Sequence, residues 1–162
     1  MRLMLMRHGI AEEAGPDTGF RDEPRALTPE GRARIEQAAR GIVALDIEAA
    51  LVLTSPLVRC RQTAEIVAAA LGLTPVEDAR LRPGMELDDL EEALTRHPGA
   101  DPVLVCGHQP DLSEAVAELT RGGAGAHRLH VEQGEGALAE LDGAGRLRAL
   151  YPPSALRGRR GS

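Results

Sequence analysis

Arg7-His8-Gly9, Thr54-Ser55-Pro56 followed by Arg59, and Gly107-His108-Gln109-Pro110 are three places where chemistry-bearing side chains stand directly after short apolar runs. Imidazole is a nucleophile that can carry a phosphoryl group covalently, splitting one displacement into two. Guanidinium is a planar, permanently charged fork of donors that matches phosphate oxygens two at a time. If the apolar runs are parallel strands of one sheet, the three points share an edge. His8, His108, Arg7 and Arg59 then converge on a small volume suited to a dianion. Helices opening after the second and third runs would aim backbone N–H groups and partial positive charge into it. Gly9 would let the backbone approach the ligand closely. Ser55 reads first as a helix cap and second as a phosphate contact, and Gln109 as a pocket-lining residue.

The elements that must position these residues follow from periodicity and caps. Residues 2–7 read as a buried strand and residues 10–27, rich in Gly, Pro and charge, as a long loop that rims the site. Thr28-Pro29 opens a helix, a side-chain cap followed by Pro at the first helical position. Its apolar positions Ile35, Ala38, Ala39 and Ile42 keep the spacing of one buried face. Residues 50–53 form a second strand. Ser55-Pro56 repeats the start signal for a second helix, with Ile66, Val67 and Ala70 inward and Arg61 solvated. Residues 76–78 suggest a brief edge strand. Leu87, Leu90 and Leu94 mark a third helix, ended by His97-Pro98-Gly99. Residues 102–106 form a central strand, and Pro110 begins a fourth helix with Leu112, Ala115, Val116 and Leu119 on one face. After the Gly-rich stretch 122–125, residues 136–141 and 146–150 form a hairpin around Asp142-Gly143-Ala144-Gly145.

Strands alternating with helices predict an α/β fold, a three-layer α/β/α sandwich with a mostly parallel central sheet and an antiparallel C-terminal hairpin. In such sheets ligands bind at the carboxyl ends of the strands. The length predicts a single domain over residues 1–151, with 152–162, which includes Arg157, Arg159 and Arg160, as a flexible tail.

Composition excludes several functions. All 19 basic residues are Arg and none is Lys. A Walker-A phosphate loop, a Schiff-base lysine and pyridoxal chemistry are therefore ruled out. A net charge of −6 argues against nucleic acid as a partner. One Phe, one Tyr and no Trp leave little for base stacking. Cys60 and Cys106 fit neither a metal spacing nor a disulfide framework and read as reduced thiols of a cytoplasmic protein. The start of the chain is too short an apolar run for a secretory signal, and no run is long enough to span a membrane. His127 and His130 lie beside no other metal ligand and read as surface histidines, as does His97.

Taken together, Arg7-His8-Gly9, the run Ser55-Pro56-Leu57-Val58-Arg59-Cys60-Arg61-Gln62-Thr63 and Gly107-His108-Gln109-Pro110 resemble the histidine phosphatase superfamily. This is the phosphoglycerate-mutase-like fold, and the resemblance is strongest to its compact SixA-type phosphohistidine phosphatases. It covers nearly the whole chain in order and spacing. It implies that His8 is the nucleophile that becomes phosphorylated, that Arg7 and Arg59 clamp the phosphoryl oxygens, and that His108 adds a further hydrogen bond or charge. It implies no metal and no cofactor, with inorganic phosphate as product.

Two departures bear on substrate. Where many members carry a carboxylate acid in a segment like Leu-Arg-Glu, this chain has Leu81-Arg82-Pro83-Gly84, leaving Glu86 and Asp88 as weak substitutes. Ile10 stands where an acidic residue often follows Arg-His-Gly. Both suit a leaving group that scarcely needs a proton, such as the imidazole of a phosphohistidine. The expected partner is thus a phosphorylated protein, such as a histidine phosphotransfer domain, or else a small phosphoester. The alternatives are a broad small-molecule phosphomonoesterase, a mutase, and a non-catalytic phosphate-binding adaptor on the same fold.

Overall fold

The N-terminal run Leu3-Met4-Leu5-Met6 is apolar at every position because the strand it forms is covered on both faces. In a computed structural model, which describes residues 1–122 and 133–158, it is β1 (Leu3–Arg7), near the middle of the sheet. There follow α1 (Pro29–Ala44), β2 (Leu51–Thr54), α2 (Val58–Ala70), β3 (Val76–Glu77), α3 (Leu87–Thr95), β4 (Val103–Gly107) and α4 (Asp111–Leu119). The chain closes with β5 (Leu138–Leu141), β6 (Leu147–Tyr151) and α5 (Pro153–Leu156). The six-stranded sheet has the order β3-β2-β4-β1-β5-β6. β3, β2, β4 and β1 run parallel, and β5 and β6 are added antiparallel, as the alternating pattern predicts.

Successive side chains of a strand point to opposite faces, so each strand feeds two cores. Met4, Met6, Val52, Leu104 and Cys106 pack under α1 and α2, against Ile35, Ala38, Ala39, Ile42, Cys60, Ala64 and Val67. Leu3, Leu5, Leu53, Val103 and Val105 pack under α3 and α4, against Leu90, Leu94, Leu112, Ala115 and Val116. α1 starts as read: the Thr28 hydroxyl accepts the Gly31 N–H at 2.9 Å, and Pro29 is the first helical residue.

Three expectations are corrected. The second helix starts at Val58, not at Ser55-Pro56, and Leu57 stands at its cap position without a side-chain bond. Ser55 is fully buried and uses its hydroxyl in a two-residue turn, accepting the Leu57 N–H at 3.3 Å. On that helix Ile66 is half-buried and Ala70 exposed, while Thr63, Ala64, Val67 and Ala68 form the inner face. The third correction is the tail: residues 153–156 form α5, and Leu156 is fully buried in the core beneath α1. Gly41 of α1 permits this docking, since a Cβ there would lie 1.6 Å from the Leu156 carbonyl oxygen. His127, His130, Arg159, Arg160 and residues 123–125 lie outside the described residues. Among the described residues no helix is long and apolar enough to cross a membrane.

If Leu156 is a core residue rather than part of a free end, Leu156→Ala costs about 2–5 kcal/mol of stability. Urea denaturation checks this, and an unchanged midpoint would return the segment to the status of a tail.

Candidate active site

Strand register brings the three polar points to one edge. Arg7 pairs with Gly107 and Thr54 with Cys106, so His8, Ser55 and His108 are the residues just beyond aligned strand ends. The His8 N–H donates to the Gly107 carbonyl at 3.2 Å, and the Ser55 N–H to the Cys106 carbonyl at 3.1 Å. The two imidazole centroids lie 5.4 Å apart, edge to face. Arg59, in the first turn of α2, reaches between them. Its Nε–H donates to His8 Nε2 at 3.2 Å, and its Nη2 lies 3.3 Å from His108 Nδ1. Arg59 and His108 are each 4% exposed and His8 8%.

The partners assign the tautomers, because a guanidinium only donates and a carbonyl only accepts. His8 Nδ1 is 2.7 Å from the Gly9 carbonyl and therefore carries the proton, leaving Nε2 unprotonated as the acceptor of the Arg59 Nε–H. His108 Nδ1 accepts from Arg59, and its Nε2–H donates to the Ser55 hydroxyl at 2.8 Å. Both rings are neutral. Burial, together with the charges of Arg59, Arg7 and Arg25, holds His8 down from 6.5 to about 4, against the pull of its Gly9 hydrogen bond. Burial, Arg59 and His8 hold His108 at about 3, with Asp22 opposing.

Residues 3–86 match the family model of the histidine phosphatase superfamily, branch 1. The chain belongs to this superfamily. A protein of Picosynechococcus sp. strain PCC 7002, SYNPCC7002_A2622, is 39% identical over 153 residues, covering 92% of this chain and 90% of that one. A solved structure of the protein histidine phosphatase SixA complexed with tungstate superposes with a TM-score of 0.75 at 27% identity, covering 94% of this chain and 97% of that one. The Agrobacterium tumefaciens protein assigned as a phosphohistidine phosphatase SixA gives a TM-score of 0.80 at 26% identity, over 94% and 98% of the two chains.

Within this histidine phosphatase the other residues singled out from sequence lie differently from expectation. Arg7 turns its outer nitrogens elsewhere: its Nη1 donates to the Gln133 carbonyl at 3.0 Å, and its Nη2 lies 3.8 Å from Glu135, although its charge still acts on His8. Its buried Nε has no hydrogen-bond partner. Gly9 acts through its main chain. Its carbonyl holds His8, its N–H donates to the Thr63 hydroxyl at 3.1 Å, and a Cβ would stand 2.6 Å from Ile35 Cγ1. Tight packing, rather than approach to a ligand, demands glycine there. Ser55 is a support for His108, not an open phosphate contact. Gln109 is bonded to Gln133 and Ser113 in a side network. The N-terminus of α2 is partly occupied, since the Val58 N–H donates to the Glu23 carbonyl at 3.3 Å. Glu86 and Asp88 line a hollow of about 430 Å³ with Asp111, Glu114 and Glu118, which neither imidazole lines and whose charge is of the wrong sign for phosphate.

Three neighbours escaped the sequence reading. Cys60 lies beneath His108, its Sγ 3.5 Å from Nε2. Thr63 joins Arg59 to Gly9, donating to the Arg59 carbonyl at 2.7 Å, and its i+4 spacing from Arg59 on a helix was a usable signal. Asp22, from the long first loop, bonds Arg59 Nη2 at 2.8 Å, and its main-chain oxygen accepts from Nη1 at 3.1 Å. No periodicity marks a residue in an irregular loop. Burial pushes the Asp22 pKa up, but hydrogen bonds from Arg25 and Arg59 overcome this and hold it below the usual carboxylate range.

The depressed imidazoles have two measurable consequences. An NMR titration is expected to give midpoints near 4 for His8 and near 3 for His108, against 6.5 for an ordinary histidine. Below 6.5 the unfolded chain binds protons that the folded one refuses, so stability falls as pH drops from 6.5 toward 4. A flat melting temperature across that window would contradict the assignment.

Proposed function

We propose that this histidine phosphatase hydrolyses protein phosphohistidine without a metal, through a covalent phosphoryl intermediate on His8. The observation that carries the reading is the Nε2 lone pair of His8, neutral and aimed at the Arg59 guanidinium, with its proton secured on the opposite nitrogen by Gly9. The Nε2 lone pair attacks phosphorus, and the bond from phosphorus to the substrate nitrogen breaks with its electron pair going to that nitrogen, which leaves as neutral imidazole from a ring protonated on its other nitrogen. Arg59 stabilises charge on the equatorial oxygens, which is most of what phosphoryl transfer requires of a protein. The unpartnered Nε–H of Arg7 is a further donor of the right sign. Water then attacks the phosphorus on His8, the P–Nε2 bond breaks, and inorganic phosphate leaves.

The choice of phosphohistidine rests on the carboxylates. An alkoxide leaving group needs a proton, whereas imidazole departs as a competent base near neutrality. Glu86 and Asp88 face the acidic hollow, and Asp22 is ionised in its pairs with Arg25 and Arg59. No described carboxylate stands beside His8 as a protonated acid, which favours a substrate that does not call for one. The relative's complex with tungstate, a phosphate-like oxyanion, is in keeping with an oxyanion site on this fold.

The test offers a phosphorylated histidine phosphotransfer protein and a panel of small phosphoesters to the pure enzyme. Release from the protein is expected to be the faster; faster release from the esters would transfer the assignment to a small-molecule phosphomonoesterase. His8→Ala abolishes turnover and the acid-labile phosphoenzyme while the fold persists, and substantial residual hydrolysis would exclude the covalent route. Arg59→Ala lowers kcat by about 10²–10³-fold. Treatment with EDTA leaves the rate unchanged, and a marked loss would refute the metal-free mechanism.

A further inference from the structure

We propose that Asp22 sets the affinity of the site for phosphoryl groups by occupying, on Arg59, the place that a phosphoryl oxygen takes. The inference rests on the phosphatase reading above and concerns the same site. It follows from an account of the Arg59 donors. A guanidinium has five N–H groups in a fixed fork. The Nε–H goes to His8, one Nη1–H to the main-chain oxygen of Asp22, and the Nη2–H groups face the Asp22 carboxylate and His108 Nδ1. The end-on face formed by Nη1 and Nη2, which would take two oxygens at once, is therefore filled by Asp22 alone.

Exposure points the same way. The Arg59 side chain is 5% exposed and that of Asp22 49%, so Asp22 is the outer layer through which an incoming anion reaches the guanidinium. Leaving Arg59 does not strand its charge, because Oδ1 stays 2.7 Å from Arg25 Nη1, and Arg25 is itself bonded to the Glu12 carbonyl. Binding thus exchanges one anion for another on Arg59, and the resident carboxylate repels the dianion that replaces it. The opposite role, in which Asp22 merely holds Arg59 in position, predicts the opposite sign when its charge is removed.

Asp22→Asn keeps the size and an oxygen acceptor but loses the charge. Binding of inorganic phosphate is measured by calorimetry at mildly alkaline pH, where the ligand is dianionic, for the wild type, Asp22→Asn and Asp22→Glu, with melting temperatures recorded alongside. Asp22→Asn is expected to bind phosphate about tenfold more tightly, equivalent to about 1.4 kcal/mol, and Asp22→Glu to remain near the wild type. Inhibition by tungstate strengthens in parallel. If Asp22→Asn binds phosphate equally or more weakly while the wild type binds it measurably, the proposal falls and the phosphatase reading stands. If no form of the protein binds phosphate, both fall together.

Discussion

A guanidinium sealed between two imidazoles governs this molecule. Removing a permanently charged group from water costs several kcal/mol unless partners compensate, and Arg59 cannot shed its proton to escape the cost. Its neighbours adapt instead. His8 and His108 surrender their capacity to become cationic, each turning a lone pair toward Arg59, and among the described residues Asp22 supplies the only full countercharge in contact with it. Burial foremost, with the nearby guanidinium charges beside it, keeps His8 unprotonated, as the nucleophile proposed above has to be.

The scaffold makes that burial affordable. Arg59 lies in the first turn of α2, whose inner face is otherwise small and apolar, so the helix can sit close on β2 and β4 while one long side chain runs toward the strand ends. Thr63, one turn later, ties the same helix back to Gly9. Gly9 in turn is wedged against Ile35 of α1. The proton on His8 Nδ1 is thus fixed by a chain of contacts through two helices.

Much of this was legible beforehand, and for identifiable reasons. Alternating apolar runs and amphipathic stretches reveal a parallel sheet, because strands buried on both faces read as unbroken hydrophobic segments. Residues that follow such segments collect at one edge whatever their distance along the chain, which is why His8, Arg59 and His108 were found together. Roles within the cluster were harder. Ser55 carries the hallmarks of a helix start, yet its hydroxyl serves His108, since tertiary demand overrides local capping. Gly9 was read as room for a ligand, whereas its neighbour Ile35 comes from a helix that no local pattern relates to it. Asp22 was invisible because an irregular loop has no period. The short α5 was mistaken for a frayed end because four residues ending in one Leu make no periodic signal, although Leu156 completes the core under α1.

The position of β1 has a consequence for biosynthesis. The strand that carries His8 into place is made before its sheet neighbours, residues 103–107 on one side and 138–141 on the other. Until those residues are made, its unsatisfied backbone and its two apolar faces, Leu3 with Leu5 and Met4 with Met6, have no native strand partner, a state in which nascent chains invite chaperones or aggregate. Such long-range closure makes folding slow relative to proteins built from local contacts. The cluster of His8, Arg59 and His108 can accordingly close only after β4 has been made.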